Sequence, residues 1–329
     1  MKTFSNANAR DVRQAIALSS DARQHGRVVS FAGGGSDVLA LVKERVVSPD
    51  VIVSLKSIRG FDRVAPDGNG LSIGGLITLD ALSRDPAVRR QYGVLAEAAE
   101  SVATPQIRNV GTLAGNLCQR LWCWYYWNGF PCFKAGGNQC FSVLGENQFH
   151  AIFGGGPSYI VHPSDTAPAL VALDAGFRIS GPSGDRTVPA ADFFVLPRQN
   201  AAAENVLAND EVLTSVQIPA ARAGTRSVYA KVLDREAWTH AVVSAAIVLQ
   251  MDGPICRFAR VVLGGVAPIP WRLPDVEQAL TGQPMTEETA ARAGDLAIAG
   301  ARPLAKNAYK LPLTKNLVRR AIRDLASRA

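Results

Sequence analysis

Cysteine is scarce in this chain, which has five among 329 residues. Long apolar runs are missing altogether, and no stretch approaches the roughly 20 residues that a membrane-spanning helix needs. The first residues, MKTFSNANARDVRQAI, are amphipathic and lack the apolar centre of a signal peptide. We therefore expect a chain without a membrane span that resides in the cytoplasm, or in the periplasm if it is exported together with a partner.

Recognisable nucleic-acid motifs are also absent. Lys and Arg number 35 against 28 Asp and Glu, and the net charge of +7 is spread along the chain, with its densest patch at residues 315–323. Basic residues of this kind near the C-terminus are typical of the solvated face of a helix. We expect no nucleic-acid partner, although a mildly basic surface would suit the docking of an acidic protein.

The length and the hydrophobic share of 47% allow two or three domains with substantial cores. Low-complexity tracts and internal repeats do not occur. Near the N-terminus, helical spacing and short apolar runs predict a small βαβ-like unit. Its elements are a helix at 8–24, a strand at 27–31, a helix at 38–45 and a strand at 51–55.

Toward the C-terminus the predicted strands precede the predicted helices. This order indicates an α+β domain in which a three-stranded sheet is covered on one face. Before this domain, residues 200–209 are polar and alanine-rich, which is typical of a linker. The predicted strands lie near 228–232, 241–250 and 258–264, and the predicted helices near 276–281, 286–298 and 315–327.

One short segment holds four of the five cysteines. Cys118, Cys123, Cys132 and Cys140 follow the spacing C-x4-C-x8-C-x7-C. Four thiolates form a soft, four-coordinate site that suits zinc or an iron-sulfur cluster. Zinc sites usually pair their cysteines as C-x2-4-C, and here the first pair alone approaches that spacing. The spacing therefore favours an iron-sulfur cluster, with zinc and buried or disulfide-bonded cysteines as the alternatives.

Aromatic residues crowd the same segment. They suit a redox cluster, whose potential depends on burial and on hydrogen bonds to its sulfurs, but an ordinary aromatic core would have the same composition. Glycine and proline at positions 129, 131, 136 and 137 predict an irregular loop. The aromatic residues are Trp122, Trp124, Tyr125, Tyr126, Trp127, Phe130 and Phe133.

Two glycine-rich segments precede the cysteines. Residues 33–35 are consecutive glycines after the predicted strand 27–31, and they allow main-chain N–H groups to approach a phosphate, with Ser36 as a further donor. The segment matches neither the Rossmann fingerprint nor the Walker loop, and a tight turn would explain the glycines equally well. The second segment, 104–116, is again punctuated by glycines.

A third segment, HPSDTAPAL at 162–170, follows the cysteines. It opens an apolar helix predicted at 167–173, and both Ser164 and Asp165 are residue types found at helix N-caps. Capping is the simplest explanation of these two residues.

Taken together, FAGGGSDVL at 31–39, IRNVGTLAGN at 107–116 and HPSDTAPAL resemble the flavin motifs of the FAD-binding subunit of the molybdenum hydroxylases, the xanthine dehydrogenase family. LTSVQIP, Lys231, LGGVAPIPWR and NAYKLPL extend the resemblance over nearly the whole chain. Two positions depart from the family pattern. Ser36 stands where Thr is common and keeps the hydroxyl, and Ala114 stands where Gly is usual and restricts the backbone.

The resemblance implies an α+β chain with a FAD-binding fold of the vanillyl-alcohol-oxidase (PCMH) type, followed by a C-terminal α/β domain of the CO-dehydrogenase flavoprotein type. We place the two FAD-binding subdomains at 1–56 and 57–222 and the C-terminal domain at 223–329. The implied FAD-binding residues are Phe31, Ala32, Gly33, Gly34, Gly35, Ser36, Asp37, Val38, Gly111, Thr112, Gly115, Asn116, Ser164, Asp165, Leu213 and Lys231.

An insert at 117–150 makes the chain resemble one branch of this family in particular. That branch includes the β subunit of 4-hydroxybenzoyl-CoA reductase and the FAD subunit of periplasmic aldehyde oxidoreductase, in which the insert carries a 4Fe-4S cluster. The resemblance thus implies Cys118, Cys123, Cys132 and Cys140 as cluster ligands.

The function implied by the resemblance is that of an oxidoreductase subunit that transfers electrons. The molybdenum cofactor and the 2Fe-2S clusters are expected on partner subunits of a heterotrimer. FAD on this chain would receive the electrons and pass them to an external acceptor, with the 4Fe-4S cluster as an additional carrier. We expect no residue of this chain to be catalytic toward the organic substrate.

Two other functions remain open. A structural or binding protein would hold zinc at the four cysteines and nothing at the glycine loops. A free-standing flavin reductase of the same fold is disfavoured, because no catalytic Ser or acid constellation accompanies the loops.

Overall fold

The computed structural model describes residues 2–235 and 240–327. Its N-terminal unit contains a parallel sheet with the strand order β1-β3-β2. The elements are β1 (Ser5–Asn8), α1 (Val12–Gln24), β2 (Val29–Ala32), α2 (Ser36–Lys43) and β3 (Val51–Ser54). The predicted helix at 8–24 begins at Val12, because the Asp11 side chain accepts a hydrogen bond from the Gln14 N–H and caps the helix there.

A second unit is built on an antiparallel sheet with the order β4-β5-β8-β6-β7 in the described residues. The edge strands β4 and β7 were not predicted from the sequence, because β4 is only four residues long and contains a proline, and β7 is largely polar and exposed. The strands are β4 (Val64–Asp67), β5 (Gly70–Gly74), β6 (Gly176–Gly181), β7 (Gly184–Pro189) and β8 (Val212–Ile218).

Short helices cover this sheet and carry most of the core of the unit. Leu95, Leu113 and Leu170 come from three of these helices, and all are fully buried in one cluster. The helices of this unit are α3 (Leu79–Arg84), α4 (Pro86–Gln91), α5 (Gly93–Glu100), α6 (Pro105–Arg108), α7 (Leu113–Leu117), α8 (Trp124–Trp127), α9 (Thr166–Ala172) and α10 (Ala190–Phe193), and all but α6 and α8 contribute buried residues.

The C-terminal unit has an antiparallel sheet with the order β12-β11-β10-β9. The sequence predicted three strands, and the structure has a fourth, β12, which is too short to show an apolar pattern in the sequence. The predicted last helix begins five residues earlier than expected, at Lys310, whose side chain is buried. The elements are β9 (Thr225–Val232), β10 (Val243–Asp252), β11 (Ile255–Gly264), β12 (Trp271–Arg272), α11 (Pro274–Leu280), α12 (Glu287–Leu296) and α13 (Lys310–Ser327).

The basic patch at 315–323 lies on the outer side of α13. Lys315 forms an ion pair with Asp295, and Arg319 with Glu287. The patch is thus partly neutralised by neighbouring carboxylates, and it is the solvated helix face that the sequence predicts. Among the described residues we find no helix whose length and apolarity would suffice to cross a membrane.

The cysteine segment is irregular, as predicted, apart from α8 and a short 3-10 turn at Phe133–Ala135. Its start is fixed by a bridge between Trp122 and Val161. Residues 200–209, expected to be a solvated linker, instead fold back onto the protein. The Glu204 carbonyl accepts from the Val195 N–H, Asn205 bridges Phe194, and the Glu204 side chain is largely buried.

Candidate functional site

The two glycine-rich loops touch each other main chain to main chain. A Cβ at Gly34 would overlap the Val110 carbonyl, and a Cβ at Gly33 would lie 2.5 Å from Thr112 Oγ1. Gly35 has φ +85° and caps α2, a conformation that side chains disfavour. We expected the glycines to make room for a phosphate. In the structure, the first two also allow the two loops to meet.

A cavity of about 400 Å³ lies where these loops meet. Residues 31–38 and 111–116 both contribute to its wall, and Asp165 closes it from a third direction. Of the predicted flavin residues, these lining residues are Phe31, Ala32, Gly33, Gly34, Gly35, Ser36, Asp37, Val38, Gly111, Thr112, Gly115, Asn116 and Asp165.

Within the described residues, Ser164, Leu213 and Lys231 lie behind this wall. Ser164 Oγ donates to Asn116 Oδ1 at 2.6 Å and accepts from the Ala167 N–H at 3.0 Å, so it does cap the following helix. Leu213 is buried in the core of β8, with its carbonyl close to Gly75. Ser164, Leu213 and Lys231 each contact a residue of the cavity wall or belong to the sheet behind the wall.

Asp165 forms a buried polar cluster with the C-terminal unit. Its carboxylate accepts hydrogen bonds from Lys231 Nζ at 2.7 Å and from the Tyr229 hydroxyl at 2.6 Å. Lys231 Nζ also donates to the Ser101 carbonyl at 2.9 Å. Burial raises the pKa of Asp165, while Lys231 and Tyr229 oppose the rise. The predicted capping role of Asp165 was therefore wrong, because its side chain bonds to β9 instead of to α9.

All five cysteines are free thiols. Cys123 and Cys132 are buried, and burial, together with smaller effects of the Cys140 and Cys132 thiolates, raises the pKa of Cys123 to about 11. Across residues 2–235 and 240–327, no three Cys, His, Asp or Glu side chains are grouped as a metal ion would require. The four cysteines of the segment therefore lie in one region, but their side chains do not converge as the ligands of one metal ion would.

Cys118 stands apart from the other three cysteines of the segment by facing the cavity. Burial, with further contributions from Asp37 and Glu204, raises its pKa to about 12. Cys123 has a different neighbour, because its Sγ lies 3.3 Å from His150 Nε2. Burial lowers the pKa of His150 to about 4, which keeps the imidazole neutral near pH 7.

The aromatic residues of the segment contact one another edge to face, as aromatic pairs prefer. Trp122 and Trp124 lie 5.5 Å apart, and Tyr125 and Phe130 lie 5.3 Å apart. Trp122 and Trp127 also line the cavity. The wall of the cavity therefore includes residues of the cysteine segment as well as residues of the two glycine loops.

A chain of charged residues joins the first glycine loop to the cysteine segment. The Arg120 N–H lies 3.4 Å from Asp37 Oδ2, and the Arg120 guanidinium contacts both Glu204 oxygens at 2.9 and 3.1 Å. Lys134 Nζ reaches Glu204 from the other side at 2.5 Å. Burial lowers the pKa of Lys134, and burial raises the pKa of Asp37 to about 6.

Sequence reasoning missed several lining residues. Ala103 immediately precedes the second glycine-rich segment and Ile107 lies within it, and the positive φ of Ala103, 43°, leaves no trace in the residue type. Arg120 lies between two cysteines. It was not considered as a cavity residue, because the cysteines indicated a metal site in that segment. His240 lines the cavity from the C-terminal unit. It could not be assigned to the cavity from the sequence, because it lies far along the chain from the glycine-rich segments.

Comparisons with known proteins agree with this geometry. A family model described as the FAD binding domain in molybdopterin dehydrogenase matches residues 2–221, and one described as the CO dehydrogenase flavoprotein C-terminal domain matches residues 228–325. The predicted fold class, a FAD-binding fold followed by a C-terminal flavoprotein domain, is confirmed.

Two curated relatives cover nearly the whole chain. The chain is 34% identical over 304 residues to the aldehyde oxidoreductase FAD-binding subunit PaoB of Escherichia coli (strain K12), covering 91% of this chain and 92% of that protein. It is 28% identical over 318 residues to the carbon monoxide dehydrogenase medium chain of Hydrogenophaga pseudoflava, covering 95% and 93%.

Solved structures share the fold. A chain of carbon monoxide dehydrogenase from Hydrogenophaga pseudoflava aligns with a TM-score of 0.77 at 26% identity, covering 98% of this chain and 96% of the other. A chain of quinoline 2-oxidoreductase from Pseudomonas putida 86 aligns with a TM-score of 0.77 at 25% identity, covering 99% and 98%.

Gly34→Ala should separate the two glycine loops. Because the new Cβ would overlap main-chain atoms of Val110, which cannot rotate away, we expect the free energy of unfolding to fall by about 2 kcal/mol or more in urea titrations. Gly93→Ala is the matched control, since a Cβ there meets only Ser227 Oγ at an ordinary 3.7 Å. Equal stability of the two variants would contradict the tight loop contact.

Lys231→Met should make stability depend on pH. It removes the ammonium from Asp165, whose pKa burial already raises, so the carboxyl will be protonated more readily in the folded state. A carboxyl whose pKa is higher in the folded state than in the unfolded state stabilises the fold at low pH. This contribution is lost as the pH rises through the folded-state pKa. We expect a loss of about 3 kcal/mol at neutral pH and a smaller loss near pH ~5.

Urea unfolding of the Lys231→Met variant at acidic and at neutral pH measures this difference. Arg178→Met is the control, because it breaks an exposed pair with Asp185 that contributes little to stability. A loss for Lys231→Met that is the same at both pH values would rule out protonation of Asp165.

Proposed function

This chain belongs to the family of FAD-binding chains of molybdopterin dehydrogenases, and from that premise we propose that it is the FAD-carrying electron-transfer subunit of a heteromeric molybdenum hydroxylase. Its relatives are oxidoreductase subunits of the aldehyde oxidoreductase and carbon monoxide dehydrogenase types. The observation that carries the proposal is the cavity, whose wall both glycine loops share.

The residues around the cavity fit FAD. The first N–H groups of α2 have no partner within the helix, and together with the helix dipole they favour a phosphate beside Gly35 and Ser36. Phe31, Trp122 and Trp127 offer aromatic surface to a flavin or adenine ring. When bound, FAD would supply the exchange between single electrons and electron pairs.

The buried polar groups behind the cavity would hold the loops rather than react. Asn116 Oδ1 accepts from both Ser164 Oγ and Thr166 Oγ1 at 2.6 Å, and Asp165 is held by Lys231 and Tyr229. Groups engaged in this way position the wall of the cavity. This supports an electron-transfer role over the free-standing flavin reductase, in which a side chain would act on a second substrate.

We further propose that Cys118, Cys123, Cys132 and Cys140 hold a 4Fe-4S cluster that serves as an additional electron carrier. Free thiols, a spacing unlike that of zinc knuckles and an aromatic surround support this proposal. The thiols are not grouped as ligands in the structure, so binding would require the irregular loop to close. Cys118, which faces the cavity, would have to move toward the other three.

The partners would carry the remaining cofactors. A molybdenum-cofactor subunit would oxidise the organic substrate, a 2Fe-2S subunit would deliver its electrons to this chain, and an external acceptor would remove them. The names of the relatives, a FAD-binding subunit and a medium chain, support such a division of labour.

Cys132→Ser should remove iron and leave FAD in place, because Cys132 is buried in the cysteine segment and away from the cavity wall. Iron, zinc and flavin content of the purified protein are the measurements. Cys256→Ser is the control, since Cys256 is buried in β11 and should change none of the three. Unchanged iron in Cys132→Ser would exclude Cys132 as a ligand, and stoichiometric zinc in the unaltered protein would establish the zinc alternative.

The isolated chain should accept electrons from dithionite but should hardly transfer electrons from organic substrates to dyes. Co-expression with a molybdenum subunit and a 2Fe-2S subunit should yield a stable heterotrimer, with interfaces above the ~1,200 Å² usual for specific complexes. Size-exclusion chromatography and dye reduction are the measurements. Turnover of an aldehyde or a purine by the single chain in proportion to its FAD would identify an autonomous flavoenzyme instead.

A further inference from the structure

Arg120 lines the cavity although it lies in the cysteine segment, two residues after Cys118. Among the described residues of the cavity wall it is the sole Lys or Arg. Two carboxylates, Asp37 and Asp165, share that wall.

We infer that Arg120 is a further flavin-binding residue, one that binds the diphosphate of FAD. The inference rests on the proposed function, and it adds to the glycine loops a side chain from a different part of the chain. A diphosphate carries two negative charges into a wall whose acidic residues outnumber its basic ones. A guanidinium on that wall is the group best suited to compensate them, since its planar donors match phosphate oxygens in pairs.

The position of Arg120 agrees with this role. Its N–H lies 3.4 Å from Asp37 Oδ2, and Asp37 belongs to the first turn of α2. Arg120 is therefore next to the helix end and the glycines, where a phosphate would be favoured.

Glu204 holds the guanidinium in place. Both of its oxygens contact Arg120, and Lys134 binds it from the buried side. The Arg120 side chain remains 33% exposed, against 1% for Lys134. Arg120 thus keeps N–H donors available toward the cavity, while Lys134 is committed to Glu204 and the Ala202 carbonyl.

The test is FAD binding by the full-length chain after removal and re-addition of the flavin, followed by fluorescence quenching. Arg120→Gln should weaken FAD about 10-fold or more, as expected for a lost charge-assisted hydrogen bond. Arg120→Lys keeps the charge but lacks the paired donors. Its affinity for FAD should therefore lie between that of Arg120→Gln and that of the unaltered protein. The dissociation constant of ADP, obtained from its displacement of FAD, should rise by a similar factor in Arg120→Gln, because ADP contains the diphosphate but no flavin.

Lys134→Met separates diphosphate binding from general damage to the cysteine segment. It removes the other cation from Glu204 without changing the cavity wall, and Arg120 keeps its own bonds to both Glu204 oxygens, so FAD affinity should stay within about 2-fold of the unaltered protein. An equal loss in Lys134→Met and Arg120→Gln, or equal ADP affinity in Arg120→Gln and the unaltered protein, would overturn the inference. Failure of the unaltered chain to bind FAD would overturn the proposed function as well.

Discussion

The close approach of two main-chain segments is the constraint on which the candidate site depends. Gly34 lies against the Val110 carbonyl, so the N-terminal unit and the second glycine loop share a surface that tolerates no side chain. This contact places the elements on two sides of the cavity, with α2 and Asp37 on one side and α7 and Asn116 on the other. The cavity is therefore a property of the loop junction, and neither loop would form it separately.

The C-terminal unit completes the same site from behind. Tyr229 and Lys231 extend from β9 to Asp165, and the Tyr229 N–H donates to the Glu97 side chain at 2.7 Å. These contacts join β9 to the Glu97 carboxylate of α5 and to the Asp165 carboxylate that precedes α9. A buried ion pair of this kind adds little to stability compared with apolar packing. It does fix the direction from which Asp165 faces the cavity.

Much of the fold could be predicted from the sequence, since apolar periodicity indicated β3, α9, β10, β11 and α13 with ends shifted by a few residues. Among the strands that escaped prediction, β1, β4, β7 and β12 are short or exposed, so their residues carry no apolar pattern. The segments around both glycine loops were predicted as parts of one site, and they do line one cavity. Arg120 and Glu204 could not be paired in advance, because 84 residues separate them and an alanine-rich segment gives no sign of folding back.

The order of strands in the second sheet bears on how the chain is made. Its last strand, β8, lies between β5 and β6, so the sheet stays in two pieces until residue 218 has been synthesised. Both glycine loops and all four clustered cysteines leave the ribosome before that strand. Pairing over such long sequence separations is slow to form. The four clustered cysteines are thus synthesised while the sheet of the second unit is still incomplete.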